Sequence, residues 1–290
     1  MRLLCLIAVA TTIASCQPAT HHHASYPEPF PDTVALSFLP GIVSADSLDF
    51  NAAFSPDGRT FYFCRSVNRK WSIWQTTFDG NNWSAPALAP FADTAWSQAD
   101  PFITPDSTVY FISNQPTEEN APPGDFDIWY AHQATDGSWE APVNLTAVNS
   151  DSTEYYVSLA RNGNLYFASN RGGGYDIYTS ARINGHYARP VLLSAAINSP
   201  VMEHDPCISP DEQLLLFTSV NRDGGMGEGD VYVSRKDAQG NWGTARNLGP
   251  AVNTTSYEYC AAFSPDGKYL FFSSDNDVKW ISMKKAGLPE

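Results

Sequence analysis

The sequence predicts an all-β chain folded as a ring of repeated four-stranded sheets, and three observations predict it. The phrase NAAFSPDGRTFYF, Asn51 to Phe63, returns as CAAFSPDGKYLFF at Cys260 to Phe272, with three looser copies between them. No run keeps a helical period over about ten residues, whereas short alternating apolar runs recur along the chain. A segment near the N-terminus has the spacing of a strand that the last repeat lacks, so the ring closes on itself.

The chain opens with MRLLCLIAVATTIASC: one basic residue at Arg2, an apolar run from Leu3 to Val9, and small residues before Cys16. This is the layout of an export signal. A membrane-spanning helix needs roughly 20 apolar residues, more than this run supplies. Ile13-Ala14-Ser15-Cys16 resembles the bacterial lipobox, which implies cleavage before Cys16 and lipid attachment to it. Residues 1–16 then form a lipoprotein signal peptide, and the mature domain is held at a membrane surface. Gln17 after the modified cysteine suits sorting to the outer membrane. Residues 17–33, rich in Pro, Ala, Ser and Thr, read as a flexible tether, with His21, His22 and His23 solvated in it.

Residues 34–287 carry the repeat. Five hairpins begin at Ala52, Pro101, Val157, Pro206 and Ala261, each an apolar run, a Pro-Asp-Gly type turn and a second apolar run. Pro fixes φ, Asp bonds its own backbone and Gly accepts positive φ, so Asp57, Asp106, Asp211 and Asp266 are turn formers. A third strand follows each hairpin, at Ser72, Asp127, Asp176, Asp230 and Asp277. The Gly-rich turns ahead of these strands, such as Asn170 to Asp176, join strand to strand and meet no helix N-terminus that would cradle phosphate.

A fourth element starts at Trp83, Trp139, Tyr187 and Trp242, and the last repeat lacks it. The N-terminal VALSFLPG, Val34 to Gly41, supplies it. Leu88 to Thr104, Leu193 to Ser209 and Leu248 to Ser264 are each 16 positions apart, and so is Leu39 to Ser55. The expected architecture is a five-bladed β-propeller of four-stranded blades, closed by the N-terminal strand completing the last blade.

Composition narrows the function. With 290 residues and 43% hydrophobic content the chain buries a sizeable core. Its 31 acidic residues against 17 basic, a net charge of -14, exclude a nucleic acid partner, because phosphate would be repelled. Cys64, Cys207 and Cys260 lie in apolar runs and read as small buried side chains. Neither a GxSxG elbow nor an HExxH metal motif is present, and no cofactor is expected.

The motif FSPDG…YF, the following NRGGG.DIY and the W.AP.NL segment resemble the WD40-like PD40 repeat of the TolB family and of many bacterial envelope lipoproteins, over Val34 to Ala286. The resemblance implies a β-propeller of the bacterial cell envelope, in the periplasm or at the surface, that acts as a scaffold binding other proteins, and a monomer is expected. The chain has five repeats where the TolB propeller has six.

Candidate site residues follow from the inner strands. Five positions before the Phe, Ile or Leu of each hairpin motif stand Asp49, Gln98, Glu154, Glu203 and Glu258. Next come Phe50, Ala99, Tyr155, His204 and Tyr259, and then Asn51, Asp100, Tyr156, Asp205 and Cys260. Strand alternation puts the first and third sets on one face, which predicts a ring of acids at one mouth of the channel. Such a ring needs hydrogen bonds, raised pKa values or a bound cation such as calcium to offset its charge. Asp49, Asp100, Glu154, Tyr155, Glu203, His204, Asp205, Glu258 and Tyr259 are the expected ligand-binding residues, for an envelope protein or a glycan. The alternative is a glycoside hydrolase or polysaccharide lyase with Glu154, Glu203 and Glu258 as catalytic acids and tyrosines stacking on the sugar.

Overall fold

In each repeat the first apolar strand turns back on a second through the Pro-Asp turn, and the turn chemistry is the one the sequence predicts. Asp57 Oδ1 accepts the Arg59 N–H at 3.0 Å while Gly58 takes φ 67°. In blades 2 and 4 that left-handed position falls to Ser107 and Glu212, each at φ 61°. There Asp106 and Asp211 accept hydroxyl hydrogen bonds from Thr104 and Ser209, as Asp57 and Asp266 do from Ser55 and Ser264 in the glycine turns.

The structure, a computed structural model, describes residues 25–45, 47–118 and 121–289. Among these there is no helix, and five four-stranded antiparallel sheets form a five-bladed β-propeller. Blade 1 comprises Asp49–Phe54, Thr60–Val67, Lys70–Thr77 and Ala87–Leu88. Blade 2 comprises Gln98–Ile103, Thr108–Ser113, Asp127–His132 and Val143–Asn144. Blade 3 comprises Glu154–Leu159, Leu165–Ser169, Asp176–Ser180 and Val191–Leu192. It also carries a small added hairpin, Arg182–Ile183 with His186–Tyr187. Blade 4 comprises Glu203–Ile208, Leu214–Val220, Gly229–Arg235 and Arg246–Asn247. The outermost strands are two residues long, which keeps each sheet edge short.

Blade 5 combines Tyr259–Phe263, Tyr269–Ser274 and Asp277–Ser282 with the N-terminal Leu36–Ser37, which pairs Leu36 with Trp280 and Ser37 with Lys279. The ring therefore closes by the route the spacing predicts. Phe38 fixes the closure. It is fully buried, and its ring lies 4.7 Å from that of Phe61 in blade 1 and 5.0 Å from that of Phe271 in blade 5. Docking begins before Val34: the Tyr26 ring stacks on Trp280, its hydroxyl donates to Asp266 at 2.9 Å, and the Pro31 carbonyl accepts the Ser282 N–H. Cys64, Cys207 and Cys260 are buried, as the sequence predicts, and all three are free. Cys16 and the His21 to His23 triplet lie outside the described residues.

The inner strands depart from simple alternation. Each has a register shift in its pairing with the second strand. At that bulge sits the third-set residue, always left-handed: Asn51 at φ 62°, Asp100 at 54°, Tyr156 at 41°, Asp205 at 53° and Cys260 at 50°. Asn and Asp tolerate this region, whereas Tyr and Cys do so under strain.

Candidate functional site

The bulge separates the sets that alternation would have placed together, so the expected single ring of acids becomes two arrangements. The first-set carboxylates are fully buried and fastened within their own blades. Glu154 accepts from the Ser150 N–H at 3.0 Å, the Ser150 and Ser169 hydroxyls at 2.8 Å each, and Arg171 at 2.7 Å. Glu203 repeats the pattern with Ser199, Ser219 and, at 3.8 Å, Arg222. Burial holds the Glu203 carboxyl above its ordinary range against the pull of the Ser199 and Ser219 bonds. Glu258 takes the Thr254 N–H, the Thr254 hydroxyl and the Ser274 hydroxyl, with no arginine. Asp49 is held by Ala45 N–H and by two bonds from Arg65, at 2.6 and 3.0 Å. Each carboxylate ties the inbound loop to the end of the second strand, a structural use of the repeat.

The second set lines the mouth, and residues outside the repeat extend it. His204 stacks on Tyr257 at 5.9 Å, Tyr257 meets Tyr259 at 5.7 Å, Tyr259 meets Phe50 at 6.1 Å and Phe50 meets Trp71 at 5.9 Å. Trp71 reaches Tyr155 at 6.2 Å, and Tyr155 abuts Tyr175 edge-on at 5.6 Å. The second-set residue of blade 2 is only Ala99, and Trp71 of blade 1, stacked on Phe126 of blade 2, spans the gap. The aromatic chain runs almost full circle. Its two ends, His204 and the Tyr155–Tyr175 corner, face each other across a cavity of about 210 Å³ with Met202.

Behind this rim the third set converges. Asp205 Oδ1 lies 2.9 Å from His204 Nδ1, and its Oδ2 accepts the Cys260 N–H at 3.0 Å. Asn51 Nδ2 donates to Asp100 Oδ1 at 3.2 Å, and the Cys260 thiol reaches both carboxylates. His204 Nε2 shares a 2.6 Å hydrogen bond with the Tyr257 hydroxyl. Tyr156 instead donates to the Ala261 carbonyl and braces blade 3 against blade 5. Burial, reinforced by the nearby Asp205 charge, pushes the Asp100 carboxyl up to about 7. The neighbouring imidazole holds Asp205 below its ordinary range despite burial, and the carboxylates raise His204 in return against its own desolvation.

Among the described residues, no group of three or more His, Cys, Asp or Glu side chains is arranged to hold a metal ion. Of the sequence-predicted site residues, the structure brings together Asp100, His204, Asp205, Tyr155 and Tyr259, and keeps Asp49, Glu154, Glu203 and Glu258 apart in their clamps. Trp71, Phe126 and Tyr175 share one repeat position, just before the third-strand residues Ser72, Asp127 and Asp176, and Met202 and Tyr257 share another, just before Glu203 and Glu258; they escaped prediction because the expected site ran only from the first-set acids onward.

No family model matches the chain, and no curated protein matches it. Solved structures do. TolB from Acinetobacter baumannii superposes with a TM-score of 0.53 at 15% identity, over 82% of this chain and 55% of that one. The chain thus spans little more than half the length of that TolB. A gluconolactonase from Xanthomonas campestris gives 0.51 at 12% identity, over 92% and 99% of the two chains. An α-L-arabinofuranosidase from Podospora anserina, solved with cellotriose, gives 0.51 at 12%, over 87% and 97%. At these identities the likenesses establish the shared propeller fold, TolB-like proteins included.

Proposed function

We propose that the protein is a non-enzymatic binding module of the bacterial cell envelope, which captures a protein or glycan partner at the aromatic mouth of its propeller. The observation that carries this reading is the near-closed aromatic rim whose two ends flank a cavity, over residues held in left-handed backbone. Large rigid aromatic surfaces with a few convergent polar groups are what binding sites use. The TolB-like fold neighbours support the same reading. In this proposal residues 1–16 are the signal peptide, Cys16 carries the lipid, the stretch before Tyr26 is the tether, and the monomeric propeller stands at the outer membrane, facing periplasm or surface.

A hydrolytic reading has one observation in its favour: the Asp100 carboxyl is raised and that of Asp205 lowered, the split that assigns an acid and a base. It would use this pair, since the oxygens of Glu154, Glu203 and Glu258 are taken up by donors. Affinity capture from envelope extracts with the full chain, beside Tyr155→Ala and Tyr259→Ala variants, tests the binding reading. Capture of a partner by the parent and its loss in both variants is expected. Partner capture unchanged in both variants, or turnover of an envelope glycan lost in Asp205→Asn, would overturn it.

A further inference from the structure

Charge accounting around the mouth singles out one deficit. Three of the four first-set carboxylates are matched one to one by Arg65, Arg171 and Arg222. The two central carboxylates share a single cationic group, the imidazole of His204, and it is committed to Asp205. Asp100 has no cation of its own. The groups facing it are Asn51 from blade 1, the Cys64 thiol from the next strand, Asp205 and His204 from blade 4, Cys260 and Tyr259 from blade 5, and Tyr155 and Tyr156 from blade 3. Asp100 is 4% exposed, and while its Oδ1 takes the Asn51 amide, its Oδ2 has no hydrogen-bond partner among the described residues. Asp205 reaches the cavity through His204, which with Tyr155 forms its walls, and Asp100 joins Asp205 through the Cys260 thiol.

The cavity itself has the walls a cation prefers. Tyr155 and Tyr175 meet at an interplanar angle of 88°, so two ring systems form a corner, and Met202 adds a polarizable thioether. A corner of π faces attracts an organic cation while excluding its water, and a carboxylate behind it adds direction. An alkylammonium or quaternary ammonium group fits within about 210 Å³.

Resting on the binding-module reading, we infer that the pocket between His204 and the Tyr155–Tyr175 corner takes a compact organic cation, which supplies the charge that Asp100 lacks. The proton on Asp100 and the ligand cation are then alternatives. Because the Asp100 carboxyl holds its proton to about pH 7, a cation competes with that proton below neutrality and meets an open carboxylate above it. The proton on His204, which the same carboxylates retain, opposes the ligand in the same direction.

Calorimetric titration of the full chain with choline, n-butylammonium and a short lysyl peptide, each beside its uncharged isostere, tests this. A free small cation and a peptide lysine present the same chemistry, and the arm that binds identifies the source. Each ligand that binds is expected to exceed its isostere by about ten-fold or more. Affinity is expected to rise by up to about ten-fold from about pH 6 to about pH 8, the most that titration of one carboxyl with a midpoint near 7 imposes on a competing cation. Asp100→Asn removes most of that pH step, and Tyr175→Ala, at the half-buried wall of the pocket, weakens binding with the fold retained. Isosteres binding as tightly as cations, an affinity flat across the pH range, or no binding of any of the three cations would overturn the inference. Capture of a mouth-dependent partner in the absence of cation binding would overturn this inference alone and leave the binding-module reading standing.

Discussion

Replacing Glu154 with glutamine separates a structural clamp from a catalytic acid, and the hydrogen-bond geometry sets the size of the effect. Glu154 Oε1 accepts from two hydroxyls and Arg171, while Oε2 accepts from the Ser150 backbone N–H. An amide must put its NH₂ on one of these two sites. On the Oε2 side it faces a backbone donor that cannot turn away. On the Oε1 side it faces a guanidinium that has no acceptor to offer. Either way a buried donor is orphaned, at about 1–3 kcal/mol, and the charged bond to Arg171 is lost, at about 1.5–3 kcal/mol. We expect Glu154→Gln to destabilise by about 3–5 kcal/mol, the range for breaking a buried ion pair, and to lower Tm by about 10 °C in a domain of this size.

Glu258→Gln supplies the control. Its Oε1 meets only the Thr254 and Ser274 hydroxyls, which rotate to accept from an NH₂, and its Oε2 keeps the Thr254 N–H. The expected loss there is about 1 kcal/mol. Urea and thermal denaturation followed by circular dichroism measure both. The reasoning fails if Glu154→Gln lies within about 1 kcal/mol of the parent, or if Glu258→Gln is the more damaged of the two.

Two further outcomes follow from the same structure. Phe38→Ala empties the seam between blades 5 and 1 and should cost about 3–5 kcal/mol in urea denaturation, the range for deleting a buried phenylalanine; a loss under about 1 kcal/mol would show that the N-terminal strand does not hold the ring shut. Stability should fall as pH rises from about 4 to about 7, because the folded state keeps a proton on Asp100 that the unfolded chain releases near 3.9, Asp100 alone contributing a slope of at most about 1.4 kcal/mol per pH unit and the raised Asp127 and Glu203 adding in the same direction. His204, also raised, extends the fall above about pH 6.5, whereas Asp205, lowered, acts in the opposite sense only below about pH 4. Urea denaturation across that range should show the fall in the parent and a flatter profile in Asp100→Asn, and a stability that rises through the window would refute the assignment.

The architecture was legible because it is written in chemistry that acts locally. Asp57 bonding the Arg59 N–H, the left-handed Gly58 and the apolar runs beside them make a hairpin wherever they recur, and the fourth-strand spacing brings the N-terminal segment to the edge that closes the ring, with Phe38, one residue before Leu39, in the slot that Leu145, Leu193 and Leu248 fill. The site was less legible because reading it assumed regular alternation along the inner strand. One left-handed residue per blade breaks that alternation, and nothing local in Tyr156 or Cys260 announces it. Arg65, Arg171 and Arg222 lie 16, 17 and 19 positions after the carboxylates they hold, and blade 2, which has Gln98 in place of an acid, has Asn114 in the corresponding loop and no arginine. Arginine accompanies three of the four carboxylates and is missing beside Glu258, while the backbone N–H four positions earlier serves all four, which is the constant part of the clamp.

The central positions behave in the opposite way. Asn51, Asp100, Tyr156, Asp205 and Cys260 share one backbone conformation, yet nearly every blade puts a different side chain there, and the rim around them draws on Trp71, Tyr175 and Tyr257 at repeat positions whose side chains also vary from blade to blade. A scaffold needs the same solution five times, whereas a ligand of ordinary shape needs five different contacts. In a ring of near-identical blades, repetition therefore locates what holds the fold. Function is to be sought where the backbone repeats and the side chains do not, which here is the His204, Asp205 and Asp100 side of the mouth.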